Sequence, residues 1–319
     1  MENLLVNKVA AVKEVRQAAE YQKKKQACIL TGLAGSSKPV FFAAADKLLG
    51  GKGSMAFVTA SREEIRTYRR ELNYLYPDLP MQELYPVSLP RVQADTQSLE
   101  LQAGRAAALR FLSGEERGIV FITAEALQQK QLRPSGMSGK ALQLVVGEEH
   151  EQRNIAAALL DLGYERTEQV DALGQFCLRG DILDVYPINS SAAVRIEWFD
   201  NELDAMRSFD VDTQRSLQTL TSIKIAPLKV DESFSYDADI FEYCAADTMV
   251  VVDEPVHVFG MLEKLDKENK EHASELFGKQ KLIEQLAANG AVLVSALGHS
   301  YLQQLPSLNI PVRAVAPYN

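Results

Sequence analysis

The chain is poor in the residues that build disulfide frameworks and metal sites. Its 319 residues include only three cysteines, Cys28, Cys177 and Cys244. Odd in number and far apart, they exclude a disulfide scaffold and favour a reducing compartment, so a cytoplasmic protein is expected. The four histidines, His150, His257, His272 and His299, stand at no metal-ligand spacing with any cysteine, and no metal site is expected. No apolar run approaches bilayer length, and "MENLLVNKVAAVKEVRQAAEYQKKK" lacks the apolar stretch of a signal peptide. An excess of positive charge is also missing. The net charge of −9 argues against broad binding to a nucleic-acid backbone and leaves room only for a local basic patch.

Apolar residues make up 46% of the chain and charged residues 24%, enough for real cores, and the length suggests two domains or more. Residues 4–25 carry apolar side chains at helical spacing and end in three lysines that suit a helix C-terminus. "ACILTGL" reads as a buried strand, "PVFFAAADKLL" as a helix opened by proline, "SMAFVTA" as a second strand and "SREEIRTYRRELNYLY" as a capped amphipathic helix. "RAAALRFLSGEERGIVFIT" repeats the helix-turn-strand scheme. Strands alternating with helices imply a parallel sheet.

After "RPSGMSG" the pattern changes. Apart from one helix, "EQRNIAAALLDLGY", short strands run to about residue 228. Val194, Ile196 and Trp198 alternate with Arg195 and Glu197, and Asp200-Asn201 suits a tight hairpin turn. The α/β pattern then returns with "TMVVVDEP", two helical stretches over about residues 255–288, and "AVLVSALG". The expectation is an α/β domain of P-loop or helicase type, degenerate in its site, in two parts (residues 1–130 and 230–319) interrupted by a small β-rich insert (131–229). The chain stops soon after a strand, at "PVRAVAPYN", which suggests a piece of a longer protein.

"TGLAGSSKP" nearly spells the phosphate-binding pattern G-x-x-x-x-G-K-[ST]. Gly32 and Lys38 fit, with Gly35 inside the loop, but Ser37 replaces the second glycine and Pro39 the hydroxyl residue that would hold Mg²⁺. Pro39 also removes a backbone N–H, and Ser37 adds a Cβ where glycine permits close phosphate approach. Asp253 and Glu254 end the "VVVDEP" strand as an acidic box would, with Val256 where a D-E-x-H box has histidine. "VSALG" resembles the S-A-T box of helicase-type motors, with Leu297 for threonine. Three damaged motifs in helicase order imply a site without turnover, in which Lys38 is neutralised by a local carboxylate or by solvent. No cofactor is expected for this chain. The competing reading is a UvrB-like or helicase-like ATPase with an unusual loop.

"TGLAGSSKP" resembles a damaged form of the loop in the excision-repair protein UvrB. "LGQFCLRGDILDVYPINSSAAVRIEWFDNELDAMRSFDVDTQRSL" closely resembles the insert domain of bacterial transcription-repair coupling factors. The resemblance covers essentially the whole chain and implies the N-terminal UvrB-like module of such a factor, non-catalytic itself, whose insert binds UvrA and recruits excision repair to stalled RNA polymerase. In the family, the ATP- and Mg-dependent translocase and the polymerase-binding module lie further C-terminal. RNA polymerase, upstream double-stranded DNA and a C-terminal domain that masks the insert are therefore expected partners of the full-length protein only. UvrB's tyrosine-rich DNA hairpin has no equivalent in "MQELYPVSLPRVQADTQSLE". By the same resemblance Arg166 and Arg179 fall where the family places UvrA-binding arginines, a further one being replaced by Cys177. Leu183 and Tyr186 are candidates for apolar contact, or equally for strand core. Arg195 and Arg207 are further exposed candidates, with surface salt bridging as the alternative. Taken alone, Arg166 and Arg179 could instead pair with Glu165, Glu168 or Asp181.

Overall fold

The computed structural model describes residues 4–89, 99–134, 141–228, 236–296, 305–310 and 312. The chain divides into two units: Met1–Pro90 with Ala108–Lys130 and Asp239–Asn319, and Arg91–Ala107 with Gln131–Ala238. The insert was expected over residues 131–229; the middle unit comprises residues 91–107 together with 131–238.

In the α/β unit, the continuous helix expected over residues 4–25 is two helices, α1 (Leu4–Ala10) and α2 (Lys13–Lys23). β-branched Val12, with extended backbone at φ −67° and ψ 135°, breaks the path between them. The strand β1 (Cys28–Thr31) leads through the loop into α3 (Ser37–Leu48). Pro39 is the third residue of α3, not the first, and is tolerated because first-turn N–H groups have no intrahelical acceptor. Phe41, Phe42 and Ala43–Ala45 are all buried, so α3 is a core helix. Next come β2 (Met55–Thr59) and α4 (Arg62–Leu75), where the Glu64 carboxylate accepts from the N–H groups of Ala60 and Ser61 at 2.9 and 3.2 Å. The first half ends with β3 (Met81–Leu84), α5 (Leu99–Ser113), of which residues 99–107 are counted with the middle unit, β4 (Ile119–Thr123) and α6 (Ala124–Gln128).

In the middle unit, the short strands β5 (Gln131–Leu132) and β6 (Leu142–Val145) precede α7 (Gln152–Asp161). Then follow β7 (Glu165–Arg166), β8 (Gln175–Arg179), β9 (Ile182–Val185), β10 (Ala193–Phe199), β11 (Glu202–Phe209) and β12 (Ser216–Thr219). These six form one sheet in the order β12-β11-β10-β9-β8-β7, antiparallel except for the β7–β8 pair. The strands β13 (Ser222–Ile225) and β14 (Tyr236–Ala238) pair with β6 and β5. One face of the six-stranded sheet is dry: Phe176, Leu183, Val185, Val194, Ile196, Trp198, Leu203 and Met206 pack with Ile155, Leu159 and Tyr164. The alternation at Val194, Ile196 and Trp198 produces this face, and the β10–β11 turn is Asp200-Asn201, with Asp200 at φ 55°.

The chain then re-enters the α/β unit with β15 (Met249–Asp253), α8 (Pro255–Glu268), α9 (Lys279–Ala288), β16 (Val292–Ser295) and β17 (Ser307–Asn309). Its seven-stranded sheet runs β17-β1-β16-β15-β2-β4-β3, with every neighbouring pair parallel. β2, β4 and β15 are buried along their whole length, as their unbroken apolar runs require in a parallel sheet covered on both faces. From β1 the chain turns one way along the sheet to β2, and from β16 it turns the other way to β17. The carboxyl ends of β1, β16 and β15 therefore gather at a topological switch point, the usual ligand position in open α/β sheets.

Candidate functional site

The three segments that resemble helicase motifs meet at that switch point. Lys38, on the first turn of α3 and 7% exposed, donates to Asp253 Oδ1 at 2.6 Å and to Glu254 Oε1 at 2.7 Å. Glu254 in turn accepts from the Ser295 hydroxyl at 3.1 Å and from the Ala296 N–H at 2.9 Å. Its own backbone is left-handed, at φ 42° and ψ 69°, a strained conformation for a non-glycine residue that turns its carboxylate back over the strand ends. Lys38, Asp253, Glu254, Ser295 and Ala296 are thus one hydrogen-bonded cluster. Leu297 and Gly298 of the serine-alanine segment lie outside the described residues. Burial acts against the Lys38 ammonium, but the two carboxylates outweigh it and its pKa lies above the ordinary lysine value. Burial likewise pushes Glu254 up, yet Lys38 and the donations from Ala296 and Ser295 leave it below the usual carboxylate range.

The loop itself is turned inward. The Ser37 hydroxyl donates to the Ala34 carbonyl at 2.7 Å and accepts from the Ala34 N–H at 3.0 Å. The N–H groups of Ser37 and Lys38 go to the carbonyls of Ala34 and Gly35. Donors that would cradle a phosphate in an intact loop are therefore engaged within it. Gly32, at φ 88°, has a reason to be glycine that involves no ligand: a Cβ there would stand 2.7 Å from the Ile310 carbonyl oxygen. Gly35, at φ 52°, makes the second left-handed turn with open space around it. Pro39 is buried in α3. Among the described residues no group of His, Cys, Asp and Glu is arranged to hold a metal ion, and no helix is long and apolar enough to cross a membrane.

The second candidate is the outer face of the six-stranded sheet. Register aligns Cys177, Asp184, Arg195, Arg207 and Thr219 in one row across β8 to β12, and Arg179, Ile182 and Glu197 in the next. Asp184, 2% exposed, is the hub of the first row. It accepts a two-pronged pair from Arg195, Nε to Oδ1 at 2.6 Å and Nη2 to Oδ2 at 2.8 Å. Arg195 also donates to Gln214 and lies over the Phe209 ring. Arg207 pairs with Glu197 at 2.5 Å. Of the two readings open for these arginines, the salt-bridged one describes them: both are held within the sheet face. Arg179 is different. Its side chain is 57% exposed and reaches Asp184 by a single contact of 3.5 Å.

The carboxylate beside Arg179 is thus Asp184, and none of Glu165, Glu168 or Asp181. Cross-strand register decides this, and register is invisible in local sequence. Arg166 is exposed on the edge strand β7 and has no ion-pair partner among the described residues. It is level with core-facing Phe176, so alternation sets it on the opposite side of the sheet from Arg179. Leu183 is 1% exposed within the dry face, which removes it from any contact surface and makes it core. Tyr186 is half-buried on the outer face beside Val170, Cys177, Ala193 and Phe209. Cys177 donates its thiol to the Glu168 carbonyl at 3.0 Å.

Comparison with known proteins bears on this unit most directly. Residues 142–230 match a family model described as the UvrB interaction domain. The chain is 36% identical over 203 residues to the transcription-repair-coupling factor of Bacillus subtilis, covering 63% of this chain and 17% of that protein. It is 28% identical over 165 residues to that of Escherichia coli, covering 52% and 14%, and 27% identical over 261 residues to that of Staphylococcus haemolyticus, covering 81% and 21%. The chain thus spans a small part of the length of these relatives. A solved structure of truncated XPD superposes over 94% of this chain and 99% of its own, but at a TM-score of 0.36 and 10% identity that likeness carries no argument. The sequence matches make the chain similar to a UvrB-like module of transcription-repair-coupling factors, with a UvrB interaction domain at residues 142–230.

Proposed function

We propose that this chain is the N-terminal module of a transcription-repair coupling factor, a non-catalytic UvrB-like platform that binds UvrA and so brings nucleotide excision repair to stalled RNA polymerase. The observation that carries the proposal is Arg179, a guanidinium 57% exposed on the UvrB interaction domain and tethered by one contact of 3.5 Å. Guanidinium groups make planar, two-pronged pairs with carboxylates and are enriched among residues that dominate binding energy. An incoming carboxylate can take Arg179 away from Asp184 without stranding a buried charge, because Asp184 keeps its closer pair with Arg195. Arg166, exposed on the edge strand, is a secondary contact. Tyr186 contributes at most a partly buried rim.

The α/β unit acts in this proposal as a scaffold without turnover or cofactor, its lysine and loop amides being engaged internally. ATP, Mg²⁺, RNA polymerase, upstream DNA and any domain that masks the insert belong to further modules of the full-length factor. Titration of the chain with purified UvrA by calorimetry tests the proposal. Binding by the unaltered chain that is lost in Arg179→Ala, with unchanged circular dichroism, supports it. No binding heat at several temperatures, together with a negative pull-down, overturns it.

A further inference from the structure

The outer sheet face carries an exposed aromatic side chain that no role described so far uses. Phe199, the last residue of β10, is 72% exposed, and among the described large apolar side chains only Tyr74 is more exposed. Its neighbour Trp198 is 6% exposed and points the other way, with its indole N–H bonded to the His150 carbonyl at 2.9 Å. The register shift in the β10–β11 hairpin leaves the extra residue, Asp204, on β11. β10 therefore keeps strict alternation, and Phe199 projects from the same face as Glu197 and Arg195.

On the adjoining strand, Ile182 pairs in register with both Glu197 and Arg179, and it too is exposed, at 37%. Two tight turns bring these positions to one end of the sheet: Gly180-Asp181, with Gly180 at φ 55°, and Asp200-Asn201, with Asp200 at φ 55°. The Trp198 backbone N–H donates to the Asp181 carbonyl at 2.9 Å and fixes the two turns beside each other. An aromatic ring, a branched aliphatic side chain and a loosely held guanidinium thus share one rim, with the Arg207–Glu197 pair behind them.

We infer that Phe199 and Ile182 form an apolar anchor for the protein partner that Arg179 meets. This inference rests on the reading of the face as the UvrA-binding surface. Its occupant is a patch of UvrA with an apolar pocket bordered by carboxylates, the complement of a ring beside a guanidinium. Exposed aromatic rings and arginines at the centre of a contact, shielded by surrounding residues, carry most of the affinity in protein interfaces, and a ring brings a large apolar area with little side-chain entropy to lose. The anchor supplies affinity that salt does not screen, whereas Arg179 supplies a part that salt does screen.

Calorimetric titrations with UvrA at low and high salt separate the two. Phe199→Ala should bind at least tenfold more weakly at both salt concentrations, with the salt dependence of the unaltered chain. Phe199→Leu should recover part of the loss. Arg179→Ala should bind more weakly and with a flatter salt dependence. Because Phe199 is exposed, its variants should melt at the unaltered temperature, which guards against loss of fold. Phe199→Ala binding within twofold of the unaltered chain, while Arg179→Ala fails, overturns the anchor and leaves the UvrA reading standing. If the unaltered chain does not bind UvrA, the reading itself falls and the anchor with it.

Discussion

Lys38 in the α/β unit and Arg179 in the middle unit each stand beside an aspartate, and the two pairs are opposites. Lys38 is buried and held by two carboxylates at 2.6 and 2.7 Å, one of them braced by a serine and a backbone N–H. Arg179 is mostly exposed and touches one carboxylate at 3.5 Å, which a second arginine already neutralises. The lesson lies in how completely each cation is satisfied. A cation whose counter-charges are buried with it is structural, because displacing either side strands a charge where water cannot reach it. A cation that shares its counter-ion with a better-placed neighbour can leave at small cost.

The contrast can be broken first at Lys38. Lys38→Met leaves Asp253 and Glu254 without their cation and should cost about 3–5 kcal/mol of stability, measured by urea unfolding. Arg179→Ala should change the same measurement by no more than about 0.5 kcal/mol; equal losses in the two variants would erase the distinction. In the proposed binding to UvrA the ranking reverses. There Arg179→Ala should cost about 2 kcal/mol, roughly thirty-fold in affinity, with Arg166→Ala losing less.

A smaller effect tests the electrostatics of the closed cluster. The Glu254 carboxyl is depressed in the fold, so its contribution is present above its unfolded pKa and is lost as pH falls through the folded value. Glu254→Gln should be less stable than the unaltered chain at pH 7 by about 1–2 kcal/mol, with the gap shrinking at pH below about 4. A gap independent of pH would mean that the carboxylate's charge is not what matters. The smallest expected effect is none. Restoring the loop pattern with Ser37→Gly and Pro39→Thr should give no thermal shift with millimolar Mg-ATP, since Lys38 remains held by Asp253 and Glu254. A stabilisation near 2.7 kcal/mol, about what a ligand gives at 100 times its Kd, would revive the ATPase alternative.

Much of this contrast could be read in the sequence, where local chemistry carries it. Ser37 and Pro39 mark where the loop departs from the phosphate-binding pattern, the run ending in Asp253 marks a buried strand with an acidic end, and the alternation of Val194, Ile196 and Trp198 marks a half-buried sheet. What escaped depends on partners distant in the chain. Asp184 reads as one more polar strand residue until register sets it between Cys177 and Arg195. Leu183 had a usable signal, since it shares its alternation phase with Val185 on a strand that includes Asp184, and both leucine and valine prove to be core. The break at Val12 was hidden because apolar spacing continues across it. Phe199 was read only as part of a strand. Its exposure follows from the turn that ends β10, because alternation sends Trp198 inward and leaves the next residue outside.

The strand order has a consequence for how the chain can be made. β1 and β2 are consecutive in sequence but never adjacent in the sheet, since β16 and β15 lie between them. As the ribosome delivers the polypeptide from its amino terminus, β7 to β12 have all their sheet neighbours in hand before Met249 has been synthesised. At that moment β1 has no neighbour at all, because Cys28 waits for Val292 and Ile29 for Ser307. The host sheet is thus assembled around a guest that can already be complete, and its long-range closure is the slow, high-contact-order step of its synthesis.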